Sequence, residues 1–110
     1  MPGVRDLMPA YLIASVIGVK DMDALRAYLE SSPALIAAHG GRYSARVGPI
    51  EVFDGDFEPK RVTIVEFPTM DDVRAWYDSP EYVRIRPIRL ENAESSMVLV
   101  EALSTALSVG

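Results

Sequence analysis

The only histidine of this 110-residue chain is its first candidate for proton transfer. His39 lies three residues after Ile36, so it falls near the apolar side of a predicted helix and at the end of that helix. An imidazole has a reference pKa of about 6.5, which suits a general acid or base. A histidine in this position also suits a structural role, in which its ring binds the last carbonyls of the helix. Both interpretations stay open for His39.

Glu66 is the second candidate, because it is the only acid inside a predicted strand over residues 61–67. The two-residue period of a strand places its side chain on the same side as Val62 and Ile64. A carboxylate buried there needs a partner, and desolvation would raise its pKa, which favours a role as a base or ligand acceptor. The alternative is a glutamate at the strand end that reaches solvent or holds a loop. His39 and Glu66 are the predicted catalytic residues.

Arg89 is a candidate for binding a carboxylate, since a guanidinium holds this group through two parallel hydrogen bonds. It lies in a stretch that also contains Arg84 and Arg86, so a solvated surface or an ion pair at a dimer contact is equally open. Aromatic residues at helical spacing pack in cores by default. Some of them can line a cavity with a hydroxyl directed inward, which makes further ligand-binding candidates of Tyr28, Trp76 and Tyr82.

The composition argues against several classes of function. The chain has no cysteine, which rules out disulfides, thiolate catalysis and cysteine-based metal sites. One histidine with scattered acids matches no metal-ligand spacing, and no glycine-rich nucleotide motif occurs, so neither a metal nor a cofactor is predicted. A net charge of −5 disfavours nucleic acid and anionic membranes as partners. No apolar run could span a bilayer and the start does not resemble a signal peptide, so we expect a cytoplasmic protein.

Four strands are predicted from the hydrophobic pattern. They are a buried apolar run at residues 10–19, a strand at 42–47 and 50–53 that Gly48-Pro49 interrupts, a run of β-branched residues at 61–67 and a short strand at 97–100. The strand at 61–67 is apolar on both sides, which is typical of a strand covered on both faces of its sheet.

Two helices are predicted between these strands. The first begins after Asp21 as its N-cap and ends at Gly40-Gly41, which supply the left-handed conformation that ends many helices. A kink is expected at Pro33. The second helix begins after Thr69, and Ser79-Pro80 is expected to cap a new segment within it.

The resulting order, strand–helix–strand–strand–helix–strand, is typical of a ferredoxin-like α+β domain with an antiparallel sheet and two helices on one face. The length suits one domain, which we place at residues 10–102, with a leader at 1–9 and a tail at 103–110. Helices on one face leave the other face of an apolar sheet uncovered. A second copy packed sheet to sheet with twofold symmetry would cover it, so a homodimer is predicted.

Three segments together resemble a known family. They are AHGGRYSARVG at residues 38–48, VEFPTMDDVRAWYDSPEY at residues 65–82 and the closing VLVE. In this order they resemble the domain-of-unknown-function family 1330, over residues from about 10 to 101. The resemblance implies a dimeric α/β barrel, in which two sheets pack face to face, and a ligand cleft between the sheet and helices of each subunit. It also draws attention to His39 and Glu66, and to Trp76, Ser79, Tyr82 and Arg89 as ligand-binding residues.

Three functions remain open at this point. The first is a small-molecule enzyme in which Glu66 or His39 moves a proton in the cleft. The second is a non-catalytic module whose aromatic cleft binds a metabolite. The third is a structural role, in which His39 and Glu66 bind each other or the backbone. Whether the chain is an enzyme is therefore left undecided by its sequence.

Overall fold

A computed structural model of the chain describes residues 8–103, so the predictions for residues 1–7 and 104–110 lie outside the described residues. The elements follow one another as β1 (Ala10–Val19), α1 (Met22–Ala38), β2 (Arg42–Ala45), β3 (Arg61–Phe67), α2 (Met70–Tyr77), α3 (Pro80–Asn92) and β4 (Ala93–Glu101). The ferredoxin-like α+β architecture is confirmed, with three helices instead of the two expected. None of the described helices is long and apolar enough to cross a membrane.

The strands form one antiparallel sheet in the order β2-β3-β1-β4, with β1 and β3 inside it. β1 pairs with β3 from Ala10, opposite Phe67, to Val16, opposite Arg61. β4 begins at Ala93, earlier than the predicted residue 97, because its first residues still pair with β1 beyond a bulge near Gly18. The full pairing of β1 on both edges explains why its sequence is apolar almost throughout.

Helix α1 begins and ends where its sequence predicts. The Asp21 side chain accepts a hydrogen bond from the Ala24 amide at 3.0 Å, which caps the first turn. Gly40 has a φ of +83°, the left-handed conformation expected after the last turn. Pro33 lies inside the helix, which is continuous from Met22 to Ala38. Ser32, which precedes Pro33, is buried on the side of the helix that faces the core.

The predicted second helix is two helices, because Ser79 separates them completely. Its Oγ donates to the Trp76 carbonyl at the end of α2 and accepts from the Tyr82 amide at the start of α3. Pro80 then occupies the first turn of α3, where its missing N–H removes no helical hydrogen bond. One serine thus bonds both adjoining helix ends.

The prediction of strand structure at residues 50–53 is wrong. β2 ends at Ala45, and residues 46–60 form a loop. Val47 has a φ of +58°, an unfavourable conformation for a β-branched residue that ends the extended run. The loop exposes apolar side chains, with Phe53 89% and Val47 70% exposed.

The two faces of the sheet have different surroundings. Helices cover one face, where Leu12, Val65 and Phe67 pack with Trp76 and Tyr82 in one core. No described element covers the other face, to which the alternate residues belong; these include Ile13, Ile64, Val98 and Val100. We call this second surface the open face. The sheet of a single chain is open, and the expected barrel, which needs the sheets of two chains, stays a prediction.

Candidate functional site

A cleft lies between the helices and the covered face of the sheet. Its cavity volume is about 80 Å³, within an empty region of about 600 Å³ that includes open solvent. Its floor includes Ala14 and Thr63, which pair across β1 and β3, and Ser32 of α1 lies on the helix side. These small side chains leave room in the middle of an otherwise large-residue core. The other lining residues are Leu12, Val16, Tyr28, Leu29, Ile36, Tyr43, Arg46, Arg61, Val65, Trp76, Arg89 and Met97.

Arg89 is the most unusual member of this lining, because it is a charged side chain with only 7% exposure. Its Nη1 donates to Ser95 Oγ at 2.9 Å, and its Nε has no hydrogen-bond partner. The ion pairs of the described residues do not include Arg89. Burial disfavours its charge, but the nearby hydroxyls of Tyr82 and Tyr28 outweigh this and raise the pKa of Arg89. The cleft therefore contains a buried cation without a carboxylate partner among residues 8–103.

Two tyrosines beside Arg89 share one hydrogen bond. Their hydroxyl oxygens, on Tyr28 and Tyr82, are 2.7 Å apart, and the Arg89 guanidinium carbon is 5.9 Å from the centre of the Tyr28 ring. One hydroxyl donates to the other, which leaves the second O–H proton available. Burial, followed by the proximity of Tyr28, raises the pKa of Tyr82, so this hydroxyl stays neutral at ordinary pH. The neutral hydroxyl of Tyr82 is therefore suited to donating a hydrogen bond.

Trp76 adds a further donor without an acceptor. Its ring is completely buried, 4.1 Å from the Tyr82 ring centre, and its Nε1 has no hydrogen-bond partner among the described residues. An indole N–H can only donate. Arg89, the tyrosine pair and Trp76 thus form a cluster rich in donors, which we call the donor cluster. Buried donors normally have acceptors, so an acceptor of suitable shape would satisfy this cluster.

The charge of the lining is also one-sided. It contains Arg46, Arg61 and Arg89 and no aspartate or glutamate. The chain as a whole has 16 acidic and 11 basic residues, so its surface favours the opposite sign. An apolar cleft with arginines and no acid is suited to a small organic anion.

Glu66 lies on the open face, away from this cleft. Its Oε2 accepts from Arg42 Nη2 at 2.6 Å and Nε at 3.0 Å, and its Oε1 accepts from the Tyr11 hydroxyl at 3.0 Å. The hydrogen bonds from Arg42, and then that from Tyr11, lower the pKa of Glu66. This is opposite to the rise expected from burial, because an arginine that donates two hydrogen bonds to one carboxylate oxygen stabilises the charged form. The same carboxylate raises the pKa of Tyr11, chiefly through their hydrogen bond.

His39 is the last residue of the turn that ends α1. Its backbone N–H bonds the Ile36 carbonyl, and its Nδ1 lies 3.0 Å from the Leu35 carbonyl oxygen. Since a carbonyl can only accept, Nδ1 carries the proton of this hydrogen bond. The described hydrogen bonds of His39 and Glu66 do not join them, and neither side chain lines the cleft.

Of the predicted ligand-binding residues, Tyr28, Trp76 and Arg89 line the cleft, and Tyr82 contacts all three. Ser79 is buried between two helix ends, where both of its hydrogen bonds are to backbone groups. Within residues 8–103, no group of three or more histidines and acids could hold a metal ion.

Sequence reasoning missed Arg61 and Thr63 as cleft residues. The alternation of β3 already places both on the side of Val65, and a strand residue on the covered side is a candidate for any cleft above it. Arg46 and Tyr43 had no such signal. Their positions depend on where β2 ends and how its loop begins.

Comparison with protein families decides the relationship that the three sequence segments suggest. The profile of the family described as "Domain of unknown function (DUF1330)" matches residues 9–103. The chain belongs to this family. Since the match covers all four strands and three helices of the DUF1330 chain, the family likeness includes the whole cleft and the open face.

Solved structures similar to this DUF1330 chain share its fold at low identity. A protein of unknown function from Rhodopseudomonas palustris is 17% identical, with a TM-score of 0.75, over 88% of this chain and 84% of that one. A protein from Bacteroides fragilis, described as dimeric and ferredoxin-like, is 19% identical, with a TM-score of 0.57, over 86% and 96%. SnoaB from Streptomyces nogalater, described as a cofactor-independent oxygenase, is 16% identical, with a TM-score of 0.55, over 89% and 94%. A comparison with curated proteins gave no match.

Proposed function

We propose that the cleft binds a small organic anion with an apolar body, and that Arg89 binds its carboxylate. The observation that carries this proposal is the 7% exposure of Arg89, whose Nε has no acceptor and whose hydrogen-bond partners are the hydroxyls of Ser95, Tyr82 and Tyr28 and no carboxylate. An uncompensated buried charge is strongly destabilising, whereas a bound carboxylate accepts two parallel hydrogen bonds from a guanidinium. A ligand of this kind satisfies Arg89 without any change of fold.

The other lining residues determine the shape of the ligand. The spare hydroxyl proton of the Tyr28–Tyr82 pair and the Trp76 Nε1 can each donate to an oxygen of the ligand. Leu12, Val16 and Met97 offer aliphatic contacts to its body. With a cavity volume of about 80 Å³, the cleft encloses part of such a ligand, and the rest of the ligand would extend into the region open to solvent.

Binding is favoured here over acid–base catalysis by the two residues that the sequence suggested. Glu66 is held by Arg42 and Tyr11 on the other face of the sheet, and His39 does not line the cleft. The function proposed is therefore ligand binding by a DUF1330 domain.

Catalysis in the same cleft is the second candidate, and the donor cluster favours it. Buried donors that face developing negative charge stabilise a transition state more strongly than they do in water. The fold likeness to an oxygenase that works without a cofactor agrees with this possibility but does not carry it. In that case a bound acid would be converted over time by the wild-type protein and more slowly by Tyr82→Phe, as followed by proton NMR.

The binding proposal is tested by calorimetric titration with octanoate, a carboxylate with an apolar chain. Arg89→Met is expected to weaken binding by about 10- to 100-fold, the equivalent of one charged hydrogen-bonded contact. Arg26→Met is the matched control, because Arg26 is an exposed arginine of α1 paired only with Asp23. Arg89→Lys keeps the charge but loses the planar guanidinium that donates two parallel hydrogen bonds. This variant should therefore bind octanoate more weakly than wild type and more tightly than Arg89→Met. Octanoate binding that survives Arg89→Met in folded protein would contradict the proposal.

We also infer that two chains associate through their open faces. The open face exposes Val98 by 56% and Val100 by 47%, and a sheet covered on one side only leaves such side chains in water. The similar protein from Bacteroides fragilis is described as dimeric. Two twisted sheets packed face to face would together enclose the surfaces that one chain leaves open, with the same residues contributed by each copy.

A further inference from the structure

A second basic end of the cleft lies across the sheet from Arg89. Arg61 begins β3 on the covered side of the sheet and is partly buried. Arg46 follows β2, and its guanidinium carbon lies 4.5 Å from the centre of the Tyr43 ring. Arg61 and Arg46 line the same cleft as Arg89.

The register of the sheet gives the separation of the two ends. Ser95, Val16 and Arg61 are direct partners in one row across β4, β1 and β3. Arg89 is bound to Ser95 at one end of this row, and Arg61 stands at the other. Two strand spacings therefore separate the Cα atoms of Ser95 and Arg61 by roughly 10 Å. The space between them is floored by Val16 and by the neighbouring Ala14, both apolar.

Nothing among the described residues neutralises this second end. Arg61 and Arg46 take part in none of the ion pairs of residues 8–103, and the lining has no acid. Tyr43 does not supply a negative charge either, because burial raises the pKa of its hydroxyl. The end that contains Arg61, Arg46 and Tyr43 thus has the charge of an anion site, with an aromatic wall.

We propose that the ligand of this cleft is an elongated dianion, held at one carboxylate by Arg89 and at its other anionic group by Arg61 and Arg46 across the row Ser95–Val16–Arg61. This inference rests on the proposed function and adds the substrate class. The second group is a carboxylate or a phosphate-type group, since an arginine fork fits both. The body between the two groups is apolar and about as long as the row is wide.

Chain-matched ligands provide the test. Octanoate and suberate have the same number of carbons, and suberate differs by a carboxylate in place of the terminal methyl group. In a cleft with one anion site, octanoate binds more tightly than suberate. Burial of the methyl group of octanoate is favourable, whereas burial of the second, unpaired carboxylate of suberate is not. In a cleft with two anion sites, suberate binds more tightly, by at least about tenfold for one additional charged hydrogen-bonded contact. An octanoate whose terminal carbon carries a phosphonate forms the third arm.

Variants assign the effect to the second end. Arg61→Met is expected to remove the preference for the dianions, so that octanoate binds to this variant at least as tightly as suberate does. Arg46→Met should reduce the preference, since Arg46 is exposed and contributes from the rim. Arg26→Met, which removes the same charge from an exposed position of α1, should change neither ligand. Arg61 is partly exposed at a strand end, so its replacement is compatible with the fold.

The outcomes separate this inference from the function on which it rests. If octanoate binds through Arg89 but neither dianion binds more tightly, the two-ended ligand is refuted and the binding function stands. If no ligand depends on Arg89, both are refuted. If a dianion is preferred and Arg61→Met abolishes that preference, the inference is supported, and the tighter of the two dianions identifies the second anionic group.

Discussion

The hydroxyl groups of Tyr28 and Tyr82 lie 2.7 Å apart in the interior, beside the Arg89 guanidinium. A hydrogen bond between neutral groups contributes only about 1 kcal/mol net, but a buried hydroxyl that loses its partner costs about 1–3 kcal/mol. Removing one of the two hydroxyls should therefore destabilise the fold more than its own contribution suggests, because the other hydroxyl is left without a partner.

Tyr28→Phe and Tyr82→Phe are each expected to lower the free energy of unfolding by about 1–2 kcal/mol, because each leaves one buried hydroxyl unpaired. The double variant should lose clearly less than the sum of the two, since no orphaned hydroxyl remains. Urea unfolding at fixed protein concentration, followed by Trp76 fluorescence, measures all three. Tyr77→Phe is the control, because no described hydrogen bond involves its hydroxyl, and it should change stability little. Additive losses would show that the two hydroxyls are not coupled.

The lowered pKa of Glu66 predicts that the free energy of unfolding decreases at acid pH. Its pKa in the folded chain is below its usual 4.5, so the ion pair with Arg42 contributes stability above about pH 4.5. That contribution is lost as the pH falls through the lower, folded pKa. Glu66→Gln should be less stable than wild type at pH 7 and should lose less stability between pH 5 and the lower, folded pKa of Glu66, as measured by urea unfolding at several pH values.

Glu30→Gln is the matched control for this profile, because Glu30 is an exposed helix residue outside the described ion pairs. Its acid profile should run parallel to that of wild type. Parallel profiles for Glu66→Gln and wild type would mean that the Arg42 contact does not lower the pKa of Glu66 in solution.

At the scale of elements, Ser79 joins α2 and α3 by capping both. Ser79→Ala removes the bonds to the Trp76 carbonyl and the Tyr82 amide, both of which are buried. The expected loss is about 1–2 kcal/mol in the free energy of unfolding, as for other N-cap serines. Ser31→Ala serves as control, because its hydroxyl bonds only the Ala27 carbonyl on the exposed side of α1. Equal effects of the two substitutions in urea unfolding would contradict the capping role.

Gly41 lies against Ile36 of α1 and Phe67 of β3, at a contact that has room only for glycine. A Cβ at this position would lie 2.6 Å from Ile36 Cγ2 and 2.9 Å from the Phe67 ring. Gly41→Ala should therefore destabilise the chain by about 1–3 kcal/mol through overpacking between α1 and β3. Gly48→Ala is the comparison, since a Cβ there meets nothing within 4 Å, and it should leave thermal unfolding nearly unchanged. Wild-type stability of Gly41→Ala would show that this packing is loose.

For the whole molecule, the open face predicts assembly. Sedimentation at micromolar concentration is expected to give about twice the chain mass of 12.1 kDa. Val98→Glu should yield monomers, because Val98 is 56% exposed in one chain and a buried, unpaired charge opposes close packing of two sheets. Leu90→Glu is the control: Leu90 is 59% exposed on α3, in the helix layer, and its replacement should leave the mass unchanged. A wild-type monomer would remove the reason for assembly through the open face.

The order of elements followed from local patterns of the sequence alone. Caps at Asp21 and Thr69, the glycine pair after α1 and the β-branched run of β3 depend on neighbours within a few residues, so they could be predicted. The apolar character of both faces of β3 likewise predicted that something must cover the second face. Arg89, Tyr28, Trp76 and Tyr82 were predicted near a ligand from residue type and family likeness.

Contacts between distant segments were decided only by the tertiary structure. Glu66 is an ion-paired residue because Arg42 and Tyr11, 24 and 55 positions away, meet it on the open face. Arg89 is a buried cation because β4 brings Ser95 to it while no acid from another element reaches the cleft. A sequence pattern shows on which side of a strand a side chain lies. Which partners surround that side chain depends on how sheet and helices pack, and here that packing brings Arg89 into the lining of the cleft, to which His39 and Glu66 do not belong.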